Sequence, residues 1–262
     1  MSALGDAFAT ELLKSRRSRV PWGVAAGFTM VPLVGGLFMV ILEDPERARQ
    51  LGLLGTKAQL AAGTADWPTF LDLLGQAVAI AGAMVFAFLT AWVFGREFAD
   101  RTVRNLLAIP TPRWAVVVAK ALVVGLWDVA ICGWIVALGL AIGAGLGLPG
   151  WSADRAASTL QGIAVAALMT ICLQTVTAFF AGVGRGYIAP LAWIVAAIVA
   201  AQVLAALGRG NLFPWAVPAL VVGAGGPEVE PANALSFAIV AVTAALGLAG
   251  TIAWWSCADQ SG

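Results

Sequence analysis

Residues 114–147 read WAVVVAKALVVGLWDVAICGWIVALGLAIGAGLG, and in this run only Lys120 and Asp128 carry charge. A helix rises 1.5 Å per residue, so about 20 apolar residues cross the hydrocarbon of a bilayer and this stretch has several turns to spare. A helix apolar on every face has no side to offer to water. The stretch therefore predicts a membrane span.

Working outward, five more stretches pass the same test, giving spans at 22–42, 69–95, 114–147, 156–183, 187–207 and 234–255. The chain has 15 basic and 14 acidic residues, yet only Asp72, Lys120 and Asp128 fall inside these spans. The charge is sorted by solvent. The expected fold is an all-α integral membrane protein, with a six-span transmembrane domain over 22–255, an N-terminal segment 1–21 and a tail 256–262. A seventh run, 212–225, is too short to cross and carries Pro214 and Pro218, which predicts an interfacial or re-entrant segment.

Basic residues resist translocation, so their distribution sets orientation. With the N-terminus inside, one side collects Lys14, Arg16, Arg17, Arg19, Arg96, Arg101, Arg104, Arg113, Lys120 and Arg185, ten of the fifteen. The other keeps Arg47, Arg49, Lys57, Arg155 and Arg209 among seven acids. Both termini are expected in the cytoplasm. Trp22, Trp92, Trp114, Trp254 and Trp255 then mark inner ends, and Trp67, Trp151 and Trp215 outer ones.

The absence of histidine removes zincin, deaminase and Ser-His-Asp chemistry together, because each needs an imidazole as ligand or base. Cys132, Cys172 and Cys257 are far apart with no CxxC spacing, so neither a disulfide framework nor a metal site is indicated. A net charge of +1 leaves no basic surface for nucleic acid. No GxxxxGK[ST] occurs, and Gly52-Leu-Leu-Gly55-Thr-Lys57 lacks the spacing, so the chain has no nucleotide site of its own.

Leu4, Ala7, Phe8 and Leu12 share one face at helical spacing, and Arg16, Arg17 and Arg19 lead into Pro21. Residues 1–21 read either as an interfacial amphipathic helix or as a charged stop that sets topology. The first span shows no cleavage site before it and is expected to remain.

The inner connection 96–113, REFADRTVRNLLAIPTPR, is too long for a turn. Ala99, Val103, Leu106 and Leu107 make an apolar stripe, while Glu97 with Arg101 and Asp100 with Arg104 are acid-before-base pairs four apart. Pro110 then stops the helix. Such a helix lies on headgroups or docks into a groove of a soluble partner, and periodicity does not choose between them.

Glu97, Thr102, Leu106-Leu107, Pro110, Arg113 and Lys120 resemble the pattern of permease subunits of type-2 ATP-binding-cassette (ABC) exporters: an acid, Gly-Thr, Leu-Leu, Pro, a basic residue, then Lys in the next span. The basic amphipathic start, the six spans and the Phe-Pro-Trp at 213–215 are similar to that family as well. The sharp part of the likeness covers about 25 residues. It implies a cytoplasmic coupling helix at 98–108 seated in a cleft of a separate ABC ATPase, which would bind ATP and Mg. Glu97, Phe98, Asp100, Arg101, Thr102, Arg104, Leu107, Pro110 and Arg113 are then the coupling positions. Arg101 stands where the family has the Gly of Gly-Thr, so continuous helix is expected in place of a turn.

The resemblance further implies a second permease, identical or homologous, in the inner membrane of a prokaryote. The second and fifth spans would flank the central path, which makes Gln76, Met84, Phe88, Trp193 and Gln202 candidate pathway residues. Asp128 joins them on its own account, because an acid near the bilayer centre costs about 2.5 to 3.5 kcal/mol on insertion scales. It is either an ion or proton carrier or a packing residue. Gly139, Gly143 and Gly147 repeat GxxxG on one face and predict close helix packing.

Three functions follow. The first is the permease of an ABC exporter, with amphipathic or hydrophobic cargo such as a peptide antibiotic, drug or lipid, because the spans hold few groups to compensate a small ion. The second is an ion- or proton-coupled secondary transporter or channel using Asp128. The third, an intramembrane protease pairing Asp72 with Asp128, has the least behind it.

Overall fold

The computed structural model describes residues 3–44, 63–102, 111–224 and 230–257. Among these the chain is helical throughout: α1 (Ala3–Arg17), α2 (Val20–Phe28), α3 (Met30–Glu43), α4 (Trp67–Ala99), α5 (Arg113–Gly145), α6 (Ala153–Val183), α7 (Ile188–Ala206), α8 (Val217–Val221) and α9 (Ala234–Cys257), with a 3-10 turn at Gly210–Leu212. Six helical stretches are long and apolar enough to cross a membrane, α2 and α3 counting together as one. They coincide with the six predicted spans, with ends shifted by at most four residues.

Local chemistry sets most ends. Asp66 accepts the Thr69 backbone N–H at 2.9 Å and Pro68 occupies the first turn, so α4 starts with a side-chain cap and a proline that sacrifices no needed donor. At the end of α5 Gly147 adopts φ +65, and Leu148 N–H donates back to the Gly143 carbonyl. The first span is broken at Thr29. Pro32 has no N–H to continue the ladder, and the Thr29 hydroxyl donates to the Ala25 carbonyl while accepting the Trp134 indole N–H.

The helix does not run on through Arg101. It stops at Ala99; Arg101 takes the left-handed conformation at φ +56, and Thr102 N–H returns to the Glu97 carbonyl at 2.9 Å. The turn that glycine makes easily is thus made by arginine, at a cost of about 1 kcal/mol. Arg185 ends α6 the same way at φ +48. Residues 103–110, with Arg104, Leu106, Leu107 and Pro110 of the expected coupling helix, lie outside the described residues.

The core is a layer of α4, α6 and α9 with α5 across it, and α1 to α3 lie along α5. The small residues earn their places individually. A methyl at Gly143 would meet the Trp67 indole at 2.6 Å, and one at Gly139 the end of Leu74, so the GxxxG face of α5 receives side chains of α4 rather than a backbone. At Gly247 a methyl would come within 2.7 Å of the Val176 backbone nitrogen, so α9 and α6 approach backbone to backbone. There the Thr175 hydroxyl donates to the Ala244 carbonyl at 2.8 Å, and the Thr251 hydroxyl to the Thr175 carbonyl at 3.2 Å.

The segment after α7 folds back into the bundle. Val217 is buried with Met169, Leu173 and Val240, and Val222 faces Gly75 and Ile163. The Trp215 ring lies 5.2 Å from that of Trp193 of α7, edge to face.

Candidate functional site: the charge cluster before residue 103

The apolar side of α1 packs against the bundle. Phe8 and Leu12 pack against the core formed by Phe86, Val123 and Trp127, and Glu11 and Ser15 on the same face are buried. The Trp127 indole donates to the Ser15 hydroxyl at 3.0 Å. The side chain that makes this docking specific is Glu11, an acid inside an apolar stripe.

Glu11 Oε2 receives Lys120 Nζ at 2.9 Å and Arg96 Nη2 at 3.0 Å, and its Oε1 receives Lys14 Nζ at 2.7 Å. Glu97 Oε1 receives the same two lysines, each at 3.2 Å, and its Oε2 accepts the Thr102 hydroxyl at 2.6 Å. Lys120 completes its shell on the Val93 carbonyl at 3.1 Å and is wholly inaccessible. Arg96 lies over the Trp92 ring, 4.7 Å from its centre. Two acids and three bases from α1, α4 and α5 thus share one knot, buried at Glu11, Glu97 and Lys120 and open to solvent at Lys14. Burial alone would push the Glu11 carboxyl up, but Lys120 and Lys14 beside it hold it below the ordinary range. Removing Lys120 or either glutamate leaves a buried charge short of a partner, so these three groups hold one another in place.

α4 and α5 are 33 residues each, about 50 Å long against about 30 Å of hydrocarbon. The knot lies at the C-terminal end of α4 and in the second turn of α5. Thr102, its last member, immediately precedes the undescribed segment 103–110. Glu97 therefore faces inward, whereas Asp100 and Arg101 are exposed. On the far side of the segment, Arg113 Nη1 donates to the Trp255 and Ser256 carbonyls at 3.1 and 3.2 Å. Phe98 stands edge-on to Trp255, ring centres 5.7 Å apart.

The pathway candidates divide. Gln76, Met84 and Phe88 fall on one stripe of α4 with Ile80, and Met84 and Phe88 are exposed. Between α4, α7 and α8 lies a cavity of about 80 Å³ lined by Ile80, Ala83, Gln202, Trp215 and Ala219. Trp193 stands off that cavity, stacked on Phe180 with ring centres 4.5 Å apart. Asp128 is fully buried in α5, and neither of its carboxylate oxygens has a hydrogen-bond partner among the described residues. Lys120 is engaged with the two glutamates instead.

The sequence reading brought out Glu97, Thr102 and Lys120 but not Glu11, Lys14 or Arg96 as their partners. Glu11 at the spacing of Phe8, Leu12 and Ser15 was the available signal.

An all-helical membrane bundle with a charged knot at one end and no nucleotide-binding motif fits the membrane component of a transporter. Residues 7–202 match the ABC-2 family of transporter proteins, and the chain belongs to that family, whose members are the membrane components of ABC transporters and work with an ATPase partner. It is similar to a bacitracin transport permease protein of Bacillus licheniformis, 26% identical over 192 residues, which cover 73% of this chain and 91% of that one. The protein is thus an ABC transporter permease, multi-pass in the bacterial cell membrane.

Proposed function

We propose that this chain is the permease subunit of an ATP-driven exporter that moves an amphipathic or hydrophobic compound out of the cell, with bacitracin-like peptide antibiotics the first class to try. The observation that carries the coupling part is the knot of Glu11, Lys14, Arg96, Glu97 and Lys120 at the last residues before 103. A knot that ties three helices at that position passes a displacement of the end of α4 into α1 and α5 as well. The end of the bundle holding α1 is the cytoplasmic one, because it carries ten of the fifteen basic residues. Asp100, Arg101 and Arg104 face the ATPase, and Glu97, Thr102 and Arg113 act as anchors behind them.

The exposed stripe of Met84 and Phe88 on α4 and that of Val195, Val199 and Val203 on α7 are the surfaces offered to a second permease, with the cargo path between the two copies. The support for the cargo class is the composition of the spans and the likeness to a bacitracin transport permease. Family membership does not favour the ion-coupled reading based on Asp128.

The test is co-purification in mild detergent. A tagged wild-type chain is expected to bring down an ATPase in stoichiometric amount, and a double reversal, Arg101→Glu with Arg104→Glu, to lose it. Recovery of the same ATPase by the reversal would remove these residues from the interface.

A further inference from the structure

The C-terminal end of α9 is held from both flanks of the undescribed segment. Phe98, on its leading side, packs edge-on against the Trp255 ring at 5.7 Å. Arg113, on its trailing side, donates from one nitrogen to the carbonyls of Trp255 and Ser256 at 3.1 and 3.2 Å. These carbonyls belong to the last turn of a helix, where no backbone donor of the same helix reaches them and where a cation is favoured by the helix dipole. Trp255 is completely buried, among Val93, Phe94, Val117, Val124 and Ala181.

We propose that the end of α9, which adjoins the charge knot at Val93, is a second point at which displacement of Phe98 and Arg113 enters the membrane domain, with Arg113 as the positioning residue that ties it. This rests on the coupling role proposed above. α9 does not move alone. Its backbone approach at Gly247 and the hydrogen bonds Thr175 to Ala244 and Thr251 to Thr175 lock it to α6 along its length. A shift of the two flanking ends, Glu97–Phe98 and Arg113, therefore divides into two outputs: α1 through Glu97 and Glu11, and the α6–α9 pair through Arg113 and Trp255. Two outputs let one input move α1 and the α6–α9 pair relative to each other.

Cys257, the exposed residue beside Ser256, reports on this end directly. With Cys132→Ala and Cys172→Ala removing the other thiols, the permease co-purified with its ATPase is placed in lipid nanodiscs. Alkylation of Cys257 by a maleimide is then followed on the permease band, without nucleotide and with ATP trapped by vanadate. The expected result is a change in rate of about fivefold on trapping, the lower end of ordinary coupling between sites. Arg113→Ala is expected to abolish the change while the ATPase remains bound, and Arg113→Lys, which keeps a donor and a charge, to restore most of it. A residue that merely caps α9 would alter the rate equally in both states and leave the change intact.

A wild-type complex that hydrolyses ATP with no response at Cys257 overturns the inference and leaves the exporter reading standing. A full response in Arg113→Ala does the same. If Arg113→Ala does not assemble, the wild-type and Arg113→Lys responses decide. Failure to recover any ATP-hydrolysing partner overturns the exporter reading, and this inference with it.

Discussion

Lys120 Nζ lies 2.9 Å from Glu11 Oε2, joining a fully buried ammonium on α5 to a carboxylate 109 residues earlier in the chain. The pair fixes α1 against the bundle and places Glu97, which shares the same lysine, at the last turn before the undescribed segment. Lys120→Met is expected to destabilise the protein by about 3 kcal/mol, because two buried glutamates lose a shared partner. Lys120→Met with Glu11→Gln should recover part of that loss. Thermal unfolding in detergent checks both, and a double variant no better than the single would contradict the shared burial.

The Glu11 carboxyl is held below its ordinary value of 4.5 by Lys120 and Lys14, against the upward push of burial. A carboxyl depressed by folding contributes stability that is fully present above its unfolded value and is lost as pH falls through the lower folded value. The contribution of Glu11 to the docking of α1 is therefore expected to be constant above about pH 5 and to be lost only in stronger acid. Hydrogen exchange of α1 amides, corrected for the intrinsic pH dependence, measures this. Protection that fades between pH 8 and 6 would contradict it.

Arg101 pays for its left-handed backbone with strain that glycine avoids. Arg101→Gly is expected to raise stability by about 0.5 to 1 kcal/mol, seen as a higher melting temperature, while weakening capture of the ATPase through loss of the guanidinium. Opposite signs in one variant separate the turn from the contact. A loss of stability would return the position to continuous helix.

Three glycines rank by what a methyl would meet. At Gly247 it strikes the Val176 backbone, at Gly143 the rigid Trp67 indole, and at Gly139 the flexible end of Leu74. Gly247→Ala is expected to cost most, about 2 to 3 kcal/mol, and Gly139→Ala least, within about 1 kcal/mol. Thermal melts of the three variants give the order, and an equal cost at all three would mean the helices are not packed this closely.

The six spans were legible because membrane crossing is a local property: each needs its own run of apolar residues, and Lys120 and Asp128 in a run as long as α5 did not hide it. The stop at Arg101 was not legible. A non-glycine residue in the left-handed region is a tertiary choice, and composition argued for helix. Lys14 and Arg96 entered the sequence reading only as inner-side basic residues and Glu11 not at all, because their partners come from distant parts of the sequence, which periodicity does not see. The break at Thr29 escaped for the same reason: Trp134 of α5 supports it from across the helix interface.

The measurement that bears most directly on the central claim is ATP-driven movement of an amphipathic peptide antibiotic into inverted proteoliposomes holding this chain and its ATPase. Uptake that requires ATP, and that falls at least about tenfold with the Glu11→Gln and Glu97→Gln double variant while the ATPase stays bound, is the predicted result. Uptake undiminished in that variant, or uptake driven by a proton gradient with no nucleotide present, would contradict the account.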